Sequence, residues 1–302
     1  MNNNSKNIRK SNFLVPLIVC VVTLAAWAFY SAANLDSDSK QLPRDDFYVH
    51  FIDVGQGDCA LIEAQGRFML IDGGERGNED QVTKYLKAQG VQQLDYVVAT
   101  HPHSDHIGGL AYGILDNFSV GTVIAPRFSP ENMPDTNTFE AFLQAVARLA
   151  EQGAKALYAV PGDHFALGEA SFTVLGPLRE YPGSYNNNSV IIQILFENSS
   201  VLFMGDAEKT VESDLAKHWG EALRADLLKA GHHGSKTSSN DVLLDLTLSS
   251  DMVISCGVGN SYGHPSRVVL ERCKSRQIQV HRTDINGTIV FSSNGTSFTL
   301  KD

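Results

Sequence analysis

The sequence predicts an α/β fold, a four-layer αββα sandwich with two sheets inside and helices outside, preceded by one N-terminal transmembrane helix. Three observations carry this reading. Residues 13–30 are a charge-free apolar run, long enough to approach the thickness of a bilayer. From Phe47 onward, short strand-like runs separated by Gly-containing turns give way to helix-strand alternation. Two strand-rich halves, each with helices in comparable places, need two sheets packed face to face and covered on their outer sides. The chain has 302 residues and is 43% hydrophobic, which supplies one large domain with a core and excludes disorder as the main state.

The N-terminal part stands apart by charge. Residues 1–44 carry five basic and two acidic side chains, a balance of +3, so the formal net charge of -10 leaves -13 for residues 45–302. Lys6, Arg9 and Lys10 precede the apolar run and no acidic residue does. This asymmetry keeps the short N-terminus in the cytoplasm and exports the chain beyond the run. Trp27 and Tyr30 fall at the far edge of the run, where amphipathic rings favour the membrane interface. Residues 1–33 are thus a membrane anchor or signal segment. Ser31-Ala32-Ala33 offers small residues to a signal peptidase, but the run exceeds the usual signal length, which favours the uncleaved anchor. Residues 34–46 are polar and aperiodic, a tether. The remaining domain covers residues 47–302, single-pass and exported at a bacterial inner or cell membrane.

Strands are predicted at Phe47 to Ile52, Cys59 to Glu63, Arg67 to Ile71 and Leu94 to Thr100, the first three turning at Gly55, Gly57 and Gly66. Further strands read at Val120 to Ala125, Ala156 to Val160, Ser171 to Leu175, Val190 to Phe196, Val201 to Met204, Ala225 to Ala230 and Met252 to Cys256, with a closing pair at Thr288 to Phe291 and Ser297 to Leu300. Phe139, Phe142, Leu143, Val146 and Leu149 recur at helical spacing, and Gly153 follows as a stop. A second helix spans Lys209 to Trp219 before Gly220, and a third begins at Pro265. Cys59, Cys256 and Cys273 are odd in number and show no CxxC spacing, so they imply neither a zinc ribbon nor a disulfide framework.

The chemistry concentrates where the apolar strand ending at Thr100 runs into His101-Pro102-His103-Ser104-Asp105-His106. Three imidazoles and a carboxylate within six residues, just before a segment able to start a helix, can aim several donors at one point. His101 and His103, two apart in an extended chain, face the same side. Neutral imidazole and carboxylate are ligands that zinc, manganese and iron accept, and incomplete protein coordination leaves room for water. A hydrogen-bonded loop of bland histidines is the competing explanation, and this density disfavours it.

His101-x-His103-x-Asp105-His106 resembles the signature of the metallo-β-lactamase superfamily. The likeness extends to Phe51-Ile52-Asp53-Val54-Gly55-Gln56-Gly57-Asp58, Ile71-Asp72-Gly73-Gly74, Asn186-Asn187-Asn188-Ser189, Met204-Gly205-Asp206, Lys229-Ala230-Gly231-His232-His233-Gly234-Ser235 and Tyr262-Gly263-His264-Pro265. Together these are similar to the hydrolase domain of ComEC-type competence proteins, over about residues 47–292. The resemblance implies two divalent metal ions, Zn or Mn. His101 and His103 would bind the first, Asp105, His106 and His233 the second, and Asp206 both. Asp105 would also orient the attacking water, and His232 would face the substrate or donate a proton. Two such cations generate hydroxide near neutral pH and stabilise charge developing during displacement.

One departure matters. The superfamily usually supplies another histidine to the first metal, and the only histidine in that interval is His164, in a turn-like segment. The better positional match is Asn187, Asn188 and Ser189, whose harder oxygens imply a loosely held, exchangeable or manganese-preferring first metal. Asp72 is assigned a supporting role that orders the ligand loop. Asp58 either supports the site or caps a turn. His264 contacts substrate at the cleft rim or caps a helix.

The resulting expectation is a membrane-anchored hydrolase that attacks a phosphodiester with metal-bound hydroxide; the resemblance implies a role in DNA uptake, where separate channel proteins would be partners because this chain has one apolar span. The acidic domain limits extended nucleic-acid binding, since only Lys229, Lys236 and Arg267 lie near the motifs. The rivals are hydrolysis of an amide, lactone or thioester by the same two metals, and a non-catalytic metal-containing module that recruits DNA or a channel.

Overall fold

The computed structural model describes residues 47–301. The expected membrane helix and tether lie outside the described residues. Among the described residues no helix is long and apolar enough to cross a membrane.

Two sheets form the interior. The first opens with an antiparallel meander of β1 (Phe47–Phe51), β2 (Ala60–Ala64) and β3 (Arg67–Ile71). It continues in parallel through β4 (Gln93–Val98), β5 (Ser119–Ala125) and β6 (Lys155–Tyr158). The second holds the antiparallel run β7 (His164–Leu167), β8 (Ala170–Gly176), β9 (Ile191–Phe196) and β10 (Ser199–Phe203). Beside β10 lie the parallel strands β11 (Leu227–Lys229), β12 (Asp251–Ile254) and β13 (Gln279–Arg282). The chain then returns to the first sheet: β14 (Ile289–Ser293) pairs with β1, and β15 (Phe298–Leu300) pairs with β14.

Side chains that alternate across the pleat separate the layers. Phe47, Phe51, Ile62, Met69, Phe172, Ile192, Val201 and Phe203 fill the space between the sheets. Leu61, one residue from Ile62, faces the other way, joining Leu70 and Leu94 beneath α1 (Glu79–Ala88) and α3 (Asn137–Glu151). Leu202 likewise turns away from Val201 to meet Leu215 of α4 (Lys209–Trp219), Leu243 of α5 (Asp241–Thr247) and Val269 of α6 (Arg267–Ser275). This is the four-layer αββα order expected from the sequence.

Several elements were not anticipated. The helix α1 is mostly polar, with only Val82, Thr83 and Leu86 buried, so its apolar period is too sparse to stand out. The seven-residue α5 depends on Asn240, whose side chain accepts the Leu243 N–H at 2.8 Å. The strand β7 contains His164, placed in a turn from the sequence; its ring contacts Thr173 Oγ1 at 2.9 Å on the partner strand. The third predicted helix starts at Arg267, with Ser266 as its cap. All three described cysteines are buried and unpaired.

Candidate metal centre

The donors sit on loops that leave the carboxyl ends of strands, where open α/β sheets place their sites. After β4 the chain passes Thr100 and His101 and enters α2 (Ser104–Gly109), with His103 at its N-cap. The Val190 N–H donates to the Thr100 carbonyl at 2.8 Å, fastening this loop to the second sheet. Gly73 and Gly109 allow close approach on the other side. Gly73 N–H reaches the His106 carbonyl at 2.7 Å, Gly109 N–H reaches the Gly74 carbonyl at 2.9 Å, and a Cβ on Gly109 would collide with the Gly73 carbonyl.

The second sheet contributes Asp206, just past β10, and His233, in the turn Gly231–Gly234 after β11. The Ser189 hydroxyl accepts the Asp206 N–H at 2.9 Å. His232 and His233 both adopt left-handed backbone, with φ of 49° and 52°. Such conformations cost about 1–3 kcal/mol each and persist where surrounding structure enforces them. Here they bring two adjacent rings to one carboxylate oxygen, Asp206 Oδ2 lying 3.8 Å from His232 Nε2 and 3.6 Å from His233 Nε2.

Two donor groups result. His101, His103 and Asp206 form one, and Asp58, His106, Asp206 and His233 the other, with ligand atoms in each within 4.8 Å of one another. Asp206 belongs to both. Its Oδ2 is 3.6 Å from His101 Nε2 and 3.6 Å from His233 Nε2, and its Oδ1 is 3.3 Å from His106 Nε2. Asp105 Oδ2 lies 3.2 Å from His233 Nε2, and its side chain is partly exposed.

These residues fit divalent cations. His106 Nδ1 meets Asp72 Oδ2 at 2.7 Å and His233 Nδ1 meets the Ser255 carbonyl at 3.0 Å; both partners only accept, so each Nδ1 carries the proton. In the neutral rings the two Nε2 atoms, 3.3 Å apart, are left as the lone pairs, and without a cation the carboxylates around them favour a proton in its place. Asp206 Oδ1 is buried without a hydrogen-bond partner. Four carboxylates, Asp58, Asp72, Asp105 and Asp206, converge, and among the described residues Lys229 is the ammonium paired with them. Such a surplus of negative charge and lone pairs demands positive charge.

The titration directions express the same imbalance. Burial acts to lower the His233 pKa, but Asp206 and Asp58 overcome it and push it up to about 10. His106 is raised likewise by Asp206, Asp72 and Asp105 against burial. Burial works to raise Asp206, but His233, His106 and His101 hold it well below the usual carboxylate range. His101 is lowered by burial and by His106, which keeps its imidazole neutral and able to donate a lone pair.

The Asn186–Asn188 turn departs from its expected use. Asn188 accepts the Tyr181 N–H at 2.9 Å and donates to the Tyr181 and Ser184 carbonyls at 2.9 and 2.7 Å, so its carboxamide is consumed in shaping the loop. Asn187 Oδ1 accepts the Glu208 N–H at 3.1 Å, and Ser189 supports the Asp206 backbone. None of the three turns its side-chain oxygen to the first donor group as a spare ligand. His164 is distant in β7. The Asp72 carboxylate accepts the Thr100 N–H at 2.8 Å and the Thr100 hydroxyl at 2.7 Å besides facing His106. Asp58 reaches Lys229 and His233 rather than its own turn. His264 lies beside His232, ring centroids 5.6 Å apart, while capping of α6 falls to Ser266.

Three participants escaped the sequence reading. Thr100 anchors Asp72. Glu208 Oε1 approaches His232 Nδ1 at 3.4 Å. Lys229, counted from the sequence among residues available to nucleic acid, is buried with its Nζ 2.7 Å from Asp58 Oδ2. Its signal was a lysine inside the apolar run Leu227-Leu228-Lys229-Ala230, a position that requires a buried partner.

A family model for the metallo-beta-lactamase superfamily matches residues 52–258. The chain belongs to the metallo-β-lactamase superfamily. Among solved members of this fold, YhfI from Bacillus subtilis superposes with a TM-score of 0.56 at 13% identity, covering 82% of this chain and 100% of that one. CmlA, a diiron β-hydroxylase from Streptomyces venezuelae, gives 0.54 at 17% identity over 80% of this chain and 53% of that one. Curated relatives include ComE operon protein 3 of Bacillus subtilis, 32% identical over 80% of this chain and 32% of its own length. Competence protein ComA of Neisseria gonorrhoeae is 29% identical over 89% of this chain and 36% of its own. The chain thus spans about a third of these competence-associated relatives. Superfamily membership and the paired donor groups support a metal-dependent hydrolase with a binuclear site.

Proposed function

We propose that the protein is a phosphodiesterase of the metallo-β-lactamase superfamily, of the ComEC-type hydrolase kind, acting on nucleic acid outside the cytoplasmic membrane to which residues 13–30 anchor it. The observation that carries the reading is the sharing of Asp206 by two donor groups: two cations held there would supply the charge stabilisation that in-line displacement at phosphorus needs. In this reading His101, His103 and Asp206 would hold one cation and His106, His233, Asp105 and Asp206 the other, Asp105 taking the Nε2 side of His233 while Asp58, though within the same donor group, stands at its Nδ1. Bound zinc or manganese would supply Lewis acidity and an activated water. Asp105, whose side chain is partly exposed, would accept a hydrogen bond from such a water and orient it. His232, held by Glu208, faces the leaving group.

A groove of about 420 Å³ beside the centre supports a phosphodiester over an amide or thioester. Arg127, Phe128, Ala159, Pro177, Arg179 and Glu180 contribute to its walls. Two edge-to-face contacts lead to it from the donors, His103 to Tyr185 and Tyr185 to Phe128, each at 5.8 Å between ring centroids. Arg127 lies 5.8 Å from the exposed Tyr158 ring and Arg179 4.2 Å from Tyr181. Arg179 is paired with Asp214 at 3.0 Å and Tyr181 is buried, so Arg127 and the exposed Tyr158 ring are the pair that matches a phosphate and a base of a single strand. Glu180 is engaged by the Ser129 N–H at 2.9 Å. The competence-related names of the relatives agree with DNA as substrate, and a separate channel would be the partner in uptake.

Purified protein loaded with manganese or zinc should hydrolyse bis(4-nitrophenyl) phosphate and short oligonucleotides. Two bound metals with no turnover of any phosphodiester would overturn the reading, and turnover of a lactone or thioester alone would replace it. Alkaline phosphatase fused at Lys40 should be active in cells; an inactive fusion would reverse the topology.

A further inference from the structure

We propose that Lys229 and Asp58 form a positioning pair that fixes His233 for its cation, with Lys229 acting only through Asp58. The inference rests on the metal-centre reading and adds to it a residue that determines how tightly one of the two positions is filled.

The pair is built into the interior. Lys229 ends β11 and is buried; its Nζ donates to Asp58 Oδ2 at 2.7 Å and to the Ala230 carbonyl at 3.1 Å. Asp58 arrives from the loop after β1, on the opposite sheet. Its backbone is fastened to the ligand loop, with Asp58 N–H on the Asp105 carbonyl at 3.1 Å and Gly74 N–H on the Asp58 carbonyl at 2.8 Å. Gly57, at φ +142°, makes this approach possible, since a Cβ there would collide with the Asp105 carbonyl. Two backbone bonds and one ion pair therefore set where the Asp58 carboxylate stands.

That carboxylate meets His233 on its outer side. Asp58 Oδ1 is 3.3 Å from Nδ1, the nitrogen that also faces the Ser255 carbonyl, whereas Nε2 points at Asp105 and Asp206. The Ser255 carbonyl takes the Nδ1–H and sets the ring plane, and the Asp58 anion beside it, whose Oδ1 accepts no hydrogen bond among the described residues, makes Nε2 a stronger donor through its charge. Lys229 is what keeps Asp58 there. Without it, a buried carboxylate would take up a proton or turn towards the cations it now backs.

The effect is confined to one side of the centre. His106 has its own carboxylate, Asp72, held by neutral donors on Thr100. His101 Nδ1 faces Thr100 Oγ1 at 3.2 Å, and His101 Nε2 faces His103 Nδ1 at 3.0 Å, so these two rings are oriented by groups other than Asp58 and Lys229. Loss of Lys229 should therefore weaken one cation position and spare the other.

The test is a cobalt titration of the metal-free full-length protein, read by the visible absorption of bound Co²⁺ and by metal analysis. Wild type should bind two ions. Lys229→Met and Asp58→Asn should each weaken one position by about 10–100-fold, alter that ion's spectrum, and leave the other unchanged. The double variant should be no weaker than either single one, because both act through the same ring. Lys229→Met strands a buried charge and can fail to fold; the double variant, with the same net charge as wild type, then carries the test and must show the one-site loss. Two wild-type-like sites in the variants, equal weakening of both, or additive losses in the double variant would overturn the proposal. A wild type that takes up no cobalt would overturn the metal-centre reading together with it.

Discussion

His106 Nε2 and His233 Nε2 stand 3.3 Å apart at the meeting of the two sheets, each ring holding an acceptor at its Nδ1. The carboxylates around them raise the affinity of both rings for a proton, so positive charge is favoured between the sheets, and a cation that displaced those protons would stabilise the fold as well as supply the chemistry.

Metal removal should consequently lower stability. A ligand that binds the native state at a hundred times its Kd adds about 2.7 kcal/mol. Stripping with a chelator should depress the melting temperature by several degrees, and manganese or zinc should restore it. An unchanged melting temperature would show that protons satisfy the site equally well.

Asp206 bridges both donor groups, whereas His101 serves one. Asp206→Ala should abolish uptake at both positions, and His101→Ala at one, measured as metal per chain by atomic emission. Retention of one full equivalent by Asp206→Ala would contradict the shared-carboxylate arrangement.

Asn188 shapes its loop with three hydrogen bonds. Asn188→Ala should cost about 1–3 kcal/mol of stability in urea unfolding, with metal content at saturation unchanged. Loss of one metal without loss of stability would return Asn188 to the role its sequence position suggested.

Glu212 is buried between α4 and α5, where its carboxylate accepts the Ser239 and Asn240 N–H groups at 2.5 and 2.8 Å. Burial raises its pKa from 4.5 to about 7, the two N–H groups opposing the rise. A group raised on folding contributes stability that is complete below its unfolded pKa and lost as pH climbs through its folded one. Relative to Glu212→Gln, wild type should lose stability between about pH 4.5 and 7. Urea unfolding of both proteins at pH 4.5, 6 and 8 measures this. A gap that stays constant with pH would show that the two backbone donors cancel the burial.

Arg127 lines the groove but reaches no donor atom. Arg127→Ala should raise KM for an oligonucleotide several-fold while sparing kcat and the hydrolysis of bis(4-nitrophenyl) phosphate, which is too small to fill the groove. Equal effects on both substrates would place the arginine in the reaction itself.

Much of the fold was legible in the sequence. Strands such as Val201–Phe203 and Leu227–Lys229 are nearly continuous apolar runs because both faces are covered, and α3 shows a plain helical period. The sparsely apolar α1 and the short α5 are stabilised by contacts distant in sequence, Glu212 on Asn240 among them, and no local pattern reports such contacts. At the site, the His101–His106 loop was legible because its donors are adjacent along the chain.

The sequence by itself determined the donor types, their density after β4 and the acidic character of the domain. Tertiary structure alone decided which of them share a cation position, because Asp206 and His233 come from the other sheet. It also decided the fate of groups whose identity was ambiguous. Asn188 turned inward to its loop, since a buried carboxamide takes the nearest backbone partners. Lys229, a basic residue that seemed free to meet a phosphate, became the buried counter-charge of Asp58. A charge can be counted in a sequence, but whether it faces water or a carboxylate is set by which strands lie side by side.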